Sequence, residues 1–187
     1  MSDNSFYGIK GKQIYLRAME REDMPLYQNM MNDSHISQEV VGWGPLVSSF
    51  QQNSWYESAV NDRHSQRFTI ALCEDDMAVG TIILSDIDWQ RRSAVHSIKL
   101  HRDCPKHKGI GTDALLTSMK YAFDEMNLHR LETTQIDYNK ASLGLYEKCG
   151  WKREGVLRKA VYRNGSYHDV IMTSILEDEY RELDNGR

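Results

Sequence analysis

The sequence predicts an α+β fold, with a mixed and mostly antiparallel sheet that contains one parallel strand–helix–strand crossover. Three observations support this fold class. The first half of the chain is rich in segments whose apolar residues alternate, as they do in half-buried strands. One helical apolar stripe, at 115–126, lies between two strand patterns. The pair Asn164-Gly165 divides the final strand pattern and is a strong hairpin signal.

Strands and helices follow one another unevenly along the first half of the chain. Acidic residues in its first turn mark the first helix, and a breaker run, GWGP, separates it from the second. An acidic turn joins the next two strands. The predicted elements are a strand at 13–19, helices at 20–33 and 48–62, paired strands within 67–88, and a strand at 93–100.

The second half is expected to carry the crossover and a final hairpin. Its elements are a helix at 115–126, a strand at 130–137, a short helix at 139–150 and a hairpin at 156–176. Because parallel strands need a crossover connection, the strands at 93–100 and 130–137 are expected to be parallel, with a right-handed connection. No repeat or linker divides the chain, so residues 1–187 are expected to form a single domain with a core of about 10–180.

Composition excludes several classes of protein. The net charge of −4 argues against a broad nucleic-acid surface, and no apolar run reaches membrane-span length. The polar N-terminal segment lacks the apolar core of a signal peptide. Cys73, Cys104 and Cys149 are odd in number and far apart, which indicates a reducing compartment. We therefore expect a cytoplasmic protein with neither nucleic acid nor a membrane as its partner.

The stretch HKGIGTDALL has the pattern of a phosphate-binding turn that opens a helix. Gly109 and Gly111 permit positive φ and close approach of a ligand, and the first amides of the helix suit a pyrophosphate. A plain strand-to-helix turn is the alternative. A Walker loop is excluded because its Gly-Lys-Ser/Thr is missing. The dinucleotide fingerprint is matched by the two glycines and Ala114, with Glu132 as ribose acid, but too little chain remains for its sheet.

Two motifs carry a family resemblance. KHKGIG, at 106–111, resembles the pyrophosphate loop (Arg/Gln)-x-x-Gly-x-(Gly/Ala) of the GNAT superfamily of N-acetyltransferases. NKASLGLYEKCGWKREG, at 139–155, looks like the second hallmark of that family, Asn-x-x-(Ala/Ser)-x-x-x-Tyr-x-x-x-Gly-Phe. The resemblance covers about residues 10–180, and the ending at 162–176 is similar to the branch of ribosomal-protein alanine acetyltransferases and spermidine acetyltransferases.

The resemblance implies the GNAT acyl-CoA N-acyltransferase fold and acetyl-CoA as cofactor. No metal is expected, because His101, Cys104 and His107 have zinc-like spacing but no second cluster of ligands accompanies them. It implies direct transfer of the acetyl group to a primary amine in a ternary complex. The acceptor would be a small amine, such as a polyamine, an amino sugar or an antibiotic, or a protein N-terminus. A homodimer is one assembly that the sequence leaves open.

In this family the loop amides hold the pyrophosphate, and the pantetheine arm lies between the parallel strands where they splay apart. A backbone amide of the strand at 93–100 would stabilise the oxyanion. Lys106 stands in place of Arg or Gln, which keeps the charge but loses the planar donor geometry. The implied cofactor-binding residues are Ile98, Lys99, Leu100, Lys106, His107, Lys108, Gly109, Ile110, Gly111, Thr112, Asn139, Ser142 and Tyr146.

Two residues are candidates for proton transfer. Tyr146 matches the family's tyrosine, which implies a general acid that protonates the departing thiolate; a core aromatic is the alternative. His96 stands where relatives in this branch often have glutamate, and a neutral imidazole can accept the proton of the amine. The alternatives are that His96 is a strand histidine satisfied by its neighbours, and that a water chain, Asp86 or Asp88 is the base. Asn139 is equally well placed to be a helix N-cap.

Aromatic walls and carboxylates suit a cationic amine, although core aromatics and solvated acids are the plainer interpretation. The candidate substrate-binding residues are Glu39, Trp43, Trp55, Tyr56 and Asp86. Two other function hypotheses stay open: a non-catalytic acetyl-CoA-binding GNAT-fold sensor or scaffold, and a dinucleotide-binding oxidoreductase.

Overall fold

Eight strands form a single sheet within the part of the chain that this computed structural model describes, residues 8–42 and 44–185. The strands are Ile9–Lys10 (β1), Ile14–Ala18 (β2), Gln66–Leu72 (β3), Ala78–Asp88 (β4), Ser93–Leu100 (β5), Arg130–Ile136 (β6), Lys152–Arg163 (β7) and Ser166–Leu176 (β8). Their order across the sheet is β1-β2-β3-β4-β5-β6-β8-β7. Only β5 and β6 pair in parallel within this sheet. The predicted fold class is therefore confirmed.

The helices cover both faces of the sheet. They are Met24–Asn32 (α1), Ser34–Glu39 (α2), Ser49–Ala59 (α3), Ile110–Lys120 (α4), Lys140–Lys148 (α5) and Glu177–Asn185 (α6). On β3, the Thr69 hydroxyl lies 2.7 Å from the Tyr27 hydroxyl of α1, whereas the next residue, Ile70, packs with Ala114 of α4. Successive strand residues point to opposite faces, so α1 and α4 lie on opposite sides of the sheet.

Several elements differ from the prediction in their bounds or are additional to it. The first helix begins at Met24, and a separate short helix, α2, follows because Asp33 caps it by accepting a hydrogen bond of 2.9 Å from the His35 amide. The hairpin begins at Lys152, four residues before its predicted start. At the C-terminal end, α6 packs through Tyr180 against the helical segment that continues α4, where the ring of Tyr180 stacks on Phe123 at 5.0 Å. No helix in the described ranges has the length and apolar character needed to cross a bilayer.

The parallel pair separates after three residues, and this divergence positions the site. The pairing runs from Ser93 opposite Arg130 to Val95 opposite Glu132. Beyond that point the rest of β5 pairs only with β4, and the rest of β6 pairs only with β8. The facing edges of 96–100 and 133–136 therefore have no strand partner, and an opening forms between them. We call this the strand opening.

Candidate active site

The glycine turn begins α4 in the expected geometry at one of its two glycines. Gly109 has φ of 81°, and a Cβ placed there would meet nothing closer than the side-chain Nε2 of Gln13 at 3.8 Å. The backbone is therefore open to an approaching ligand. The first amides of α4 lack acceptors within the helix, which makes its N-terminus an anion site.

Gly111 differs from the expectation, because it lies inside the helix without positive φ. A Cβ at Gly111 would lie 3.3 Å from a Leu100 methyl group and 3.6 Å from one of Leu145. Its missing side chain thus keeps space between β5, α4 and α5, at the end of the strand opening nearest the turn.

Asp113 holds the start of β2 against the first turn of α4. Its carboxylate accepts hydrogen bonds from the amides of Lys12 at 3.0 Å, Gln13 at 2.6 Å and Ile14 at 3.2 Å. The Gln13 side chain in turn donates to the Lys108 carbonyl at 3.0 Å. The glycine turn is therefore fixed from both sides before a ligand binds.

The basic run of the turn is exposed. Lys106, His107 and Lys108 all face solvent, and the two lysine ammonium groups can attract an anion. A cavity of about 510 Å³ opens beside the turn. It is lined by Gln13, Leu72, Cys73, Glu74, Pro105, Lys108 and Ile110.

The implied pantetheine strand lies along one edge of the strand opening. Ile98, Lys99 and Leu100 pair with β4, and their other edge faces β6 without a strand partner. The backbone groups on this edge that do not bond to β4 suit a ligand that adds to the strand edge, as in β-augmentation. Lys99 is half-buried, and burial lowers the pKa of its ammonium.

Asn139 uses its side chain twice. Its Oδ1 accepts from the Ser142 amide at 2.9 Å, which makes it the N-cap of α5. Its Nδ2 donates at 2.9 Å to the Glu39 carbonyl, at the end of α2. The N-cap interpretation is confirmed, and the same side chain ties the start of α5 to the end of α2.

Tyr146 and His96 meet at the floor of the strand opening. Their side chains are hydrogen bonded, with 2.9 Å between the phenol oxygen and His96 Nδ1, and the other ring nitrogen lies 3.0 Å from the Ser118 hydroxyl. His96 is fully buried and Tyr146 is 2% exposed. Burial raises the pKa of the phenol and lowers the pKa of the imidazole to about 3. This geometry favours the interpretation of His96 as a strand histidine satisfied by its neighbours.

The aromatic candidates of α3 contact the protein's own arginines. Trp55 packs edge-on against Tyr27 at 6.2 Å, and the Arg67 guanidinium lies 5.9 Å from its ring. The Arg21 guanidinium similarly lies 5.1 Å from the ring of Tyr56. Both rings therefore already contact a guanidinium of the protein itself, and they help to join α3 to α1 and β3. Trp43 lies outside the described residues.

The acidic candidates lie in different surroundings. Glu39 is half-buried at the end of α2, beside Asn139. Asp86 is exposed at an irregular point of β4, with φ of 51°, and accepts from the Ser85 hydroxyl at 3.2 Å. Asp88 is engaged by the amides of Gln90 and Arg91.

Three residues near Glu39 were missed by the sequence reasoning. The Tyr138 hydroxyl donates to the Gln38 carbonyl, and Arg163 donates to the carbonyls of residues 40–42 at 3.1–3.3 Å. A carboxylate oxygen of Asp137 is buried without a hydrogen-bond partner, and the His168 imidazole Nδ1 lies 3.8 Å from it. The available signal was position, because Asp137 directly follows β6, the strand that borders the opening.

Comparison with known proteins identifies the family. The model of the acetyltransferase (GNAT) domain matches residues 13–152. The chain belongs to the GNAT acetyltransferase family. Spermidine N(1)-acetyltransferase of Vibrio cholerae is 30% identical over 172 residues, which cover 90% of this chain and 95% of that protein. The Escherichia coli K12 protein of the same name is 26% identical over 169 residues, 89% of this chain and 88% of that protein.

Solved structures agree with these relatives. The crystal structure of the Vibrio cholerae spermidine N-acetyltransferase in complex with CoA and spermine superposes with a TM-score of 0.85 at 28% identity, covering 90% of this chain and 98% of that one. A dodecameric structure of the same enzyme gives a TM-score of 0.78 at 27% identity, with coverage of 90% and 96%. The protein is an acetyl-CoA-dependent N-acetyltransferase that acts on an amine.

The site fits that cofactor. The open turn at Gly109 offers amides to a pyrophosphate, and the strand opening offers an unpaired edge to an extended arm. The dinucleotide alternative fails, because the described sheet has one parallel pair and eight residues separate β5 from Gly109, where the fingerprint needs the glycines directly after the strand.

Proposed function

We propose that the protein acetylates a linear polyamine such as spermidine, as a member of the branch that contains ribosomal-protein alanine and spermidine acetyltransferases. The observation that carries the proposal is the likeness to spermidine acetyltransferases along nearly the whole chain, in sequence and in fold. A polyamine has several ammonium groups and no carboxylate, so its site needs negative charge near the strand opening.

Glu39 and Asp137 are proposed to supply that charge. Both carboxylates lie near the Tyr138 hydroxyl: burial raises the pKa of that phenol, the two carboxylates act in the same direction, and the Arg163 guanidinium opposes them. Two carboxylates against one guanidinium leave excess negative charge at this junction. The buried oxygen of Asp137 that lacks a hydrogen bond would gain one from an ammonium. Trp55 and Tyr56 are proposed to form a wall of the site farther from this junction.

For cofactor binding we propose the amides of 109–112 as the pyrophosphate cradle, with Lys106, His107 and Lys108 as the electrostatic attraction. The backbone of 98–100 would receive the pantetheine arm, and the N-cap turn from Asn139 to Ser142 would border it. The open backbone at Gly109 and the unpaired edge of β5 support this assignment.

Tyr146 is proposed as the general acid for the thiolate. Its oxygen contacts His96, the first β5 residue beyond the paired segment, and a side-chain hydrogen bond joins it to Thr133, the first such residue of β6. The hydroxyl thus lies where the two strands diverge. A phenol is a weaker acid than a thiol, so part of its effect would be a hydrogen bond to the developing thiolate.

For the proton of the ammonium we propose a water chain, with Asp86 as its carboxylate end. Asp86 is exposed and has no ion pair among the described residues, whereas Asp88 is occupied by backbone amides. The burial of His96 and its two hydrogen bonds make it a poor base.

An acceptor panel tests the proposal. Thiol release from acetyl-CoA would be measured with spermidine, an amino sugar and a peptide with a free N-terminal alanine. We expect spermidine to have the highest kcat/KM, and mass spectrometry to find it singly acetylated. A higher kcat/KM for the peptide would instead favour the ribosomal-protein activity. That outcome has some support, since a putative ribosomal N-acetyltransferase of Bacillus subtilis is 31% identical over 109 residues, 58% of this chain and 59% of that protein.

Charge variants sharpen the test. Glu39→Gln and Asp137→Asn should each raise KM for spermidine about tenfold while KM for acetyl-CoA stays constant, because each removes one charge-assisted contact. Glu147→Gln is the matched control, since Glu147 is an exposed carboxylate on α5. Equal effects of all three variants would overturn the assignment of the amine site.

Three further properties are proposed. The chain acts as one GNAT domain over residues 1–187, with its core at about 10–180, and it resides in the cytoplasm, where its three free cysteines stay reduced. It assembles as a homo-oligomer, either a dimer or a larger assembly like the dodecamer of the Vibrio cholerae enzyme. Light scattering of the purified protein tests the assembly, and a monomer would contradict it.

A further inference from the structure

A continuous hydrogen-bond chain links α4, β5 and α5 beneath the strand opening. Ser118 of α4 lies 3.0 Å from one nitrogen of His96, and Tyr146 of α5 lies 2.9 Å from the other. His96 and Ser118 are both 0% exposed. The chain is therefore shielded from water, and its polar atoms must find their partners within the protein.

The Ser118 hydroxyl fixes the direction of every bond in this chain. Ser118 donates its single proton to the Leu115 carbonyl at 2.8 Å, so toward His96 it can only accept. The facing nitrogen, Nε2, must then carry the ring proton. A neutral imidazole has one proton, so Nδ1 is an acceptor and the Tyr146 hydroxyl donates to it.

We propose that His96 is a positioning residue for Tyr146: Ser118 holds it in the Nε2–H form, and its Nδ1 accepts the phenolic proton and fixes the hydroxyl at the point where β5 and β6 diverge. The inference rests on the proposed role of Tyr146 as the acid. No proton is transferred to His96 in this scheme.

The surroundings keep His96 neutral, which the positioning role requires. The indole of Trp151 lies 5.7 Å from the imidazole and 4.8 Å from the phenol ring, and no carboxylate or cation contacts the imidazole among the described residues. A protonated imidazole would lose the Nδ1 lone pair that Tyr146 needs. Burial lowers the pKa of His96 to about 3, so Nδ1 stays an acceptor across the neutral range.

The arrangement also explains how the Tyr146 hydroxyl can be held in place by hydrogen bonds and still take part in catalysis. Besides its bond to Nδ1, the oxygen of Tyr146 has a side-chain hydrogen bond to Thr133, and the phenol ring packs edge-on against the Trp151 indole. Rotation about the C–O bond moves only the proton, so the oxygen already occupies its place when a thiolate forms. Without the contact to His96 Nδ1, the Tyr146 hydroxyl would have to reach that position anew in each turnover.

Two substitutions separate the halves of the chain. The amide of Gln reaches the position of Nε2 and keeps the contact with Ser118, whereas the amide oxygen of Asn occupies the position of Nδ1 and keeps an acceptor for Tyr146. We expect His96→Gln to lower kcat about tenfold, with both KM values within about twofold of wild type, the size of one lost hydrogen bond. His96→Asn should retain most of kcat.

The deciding measurement is a double-mutant cycle with Tyr146→Phe. In the Phe background, His96→Gln should lower kcat no further, because there is no hydroxyl left to position. Independent, multiplying losses would overturn the positioning role, since a residue that only packs would show them. Normal kcat in Tyr146→Phe alone would refute the acid role itself, so the two failures are distinguishable.

A spectroscopic arm tests the hydrogen-bond directions without activity. The ¹⁵N spectrum of the labelled protein should show His96 protonated at Nε2 only, unchanged through the neutral range, with the signal assigned by its loss in His96→Asn. Ser118→Ala, which removes a small polar group and preserves the fold, should allow the Nδ1–H form to appear and lower kcat in parallel. An Nδ1–H form or an imidazolium in the wild type would overturn the proposal.

Discussion

Asp113 offers a quantitative test of how the glycine turn is held. Its carboxylate accepts three successive amides at the start of β2, and the side chain is 9% exposed. A hydrogen bond to a charged acceptor contributes about 1.5–3 kcal/mol, and three donors share one carboxylate here. Allowing for water reaching the Lys12 amide after truncation, Asp113→Ala should lower the free energy of unfolding by about 3–5 kcal/mol.

The assay is urea unfolding followed by circular dichroism. A loss of that size should move the midpoint down by about 1–2 M urea, at an m-value of about 2–3 kcal/mol per M. Asp124→Ala is the control, because Asp124 continues the same helical segment but pairs with Arg181 at the surface, where such a pair contributes less than about 1 kcal/mol. Equal midpoints for the two variants would refute the reasoning, because water would then replace the Asp113 carboxylate without loss.

Three further predictions follow from particular contacts. Gly111→Val should weaken acetyl-CoA binding at least about tenfold in calorimetry with the fold intact, because the valine methyl groups fill the space beside Leu145. Gly144→Ala is the control and should leave the affinity unchanged, since Gly144 faces open space. Equal affinities of the two variants would refute the proposed cofactor path. Arg163→Gln should raise KM for the amine and speed proteolysis at 38–42, because three carbonyl contacts are lost; unchanged values for both would refute a role in holding that segment. The hydrogen bond from Arg130 is the main cause that lowers the pKa of Glu154 to about 2, so its stabilisation is fully present above about pH 4.5 and is lost as the pH falls through about 2. Glu154→Gln should therefore cost less than about 1 kcal/mol at pH 7 and a smaller amount at pH 2, and an equal cost at both pH values would contradict the ion pair.

Local sequence signals were sufficient where the stabilising contacts are themselves local. The turn at Asn164-Gly165 forms as predicted, with φ of 49° and 79°, because both residues tolerate the left-handed region that a two-residue hairpin needs. Gly150 ends α5 with φ of 87° for the same reason. The strand at 93–100 was predicted to the residue, since its alternation is continuous.

Signals from distant parts of the chain were beyond local reasoning. The segment from α2 to residue 42 is held by Tyr138, Asn139 and Arg163, which lie about a hundred or more positions away. The alternation of β5 predicted which face His96 occupies, but its buried hydrogen-bond partners, Ser118 and Tyr146, come from two helices elsewhere in the chain. No single-strand pattern carries that information, which is why a base role for this histidine looked reasonable from the sequence alone.

The same limit applies to the aromatic candidates. Trp55 and Tyr56 were reasonable walls for a cationic substrate, yet the structure places arginines against both rings. The sequence signal for a cation–π contact was sound, but the cation belongs to the protein itself. Asp137 shows the converse, since its buried oxygen without a hydrogen bond became visible only when β6 and β8 were placed side by side.

The most direct test of the account is a comparison of Tyr146→Phe with the wild type in two measurements on the same preparation. Steady-state thiol release with spermidine gives kcat, and calorimetry gives Kd for acetyl-CoA. The account predicts that kcat falls at least about tenfold while Kd changes by less than about twofold, because the hydroxyl acts on the departing sulfur rather than on cofactor binding. A strongly weakened Kd with normal kcat would contradict it.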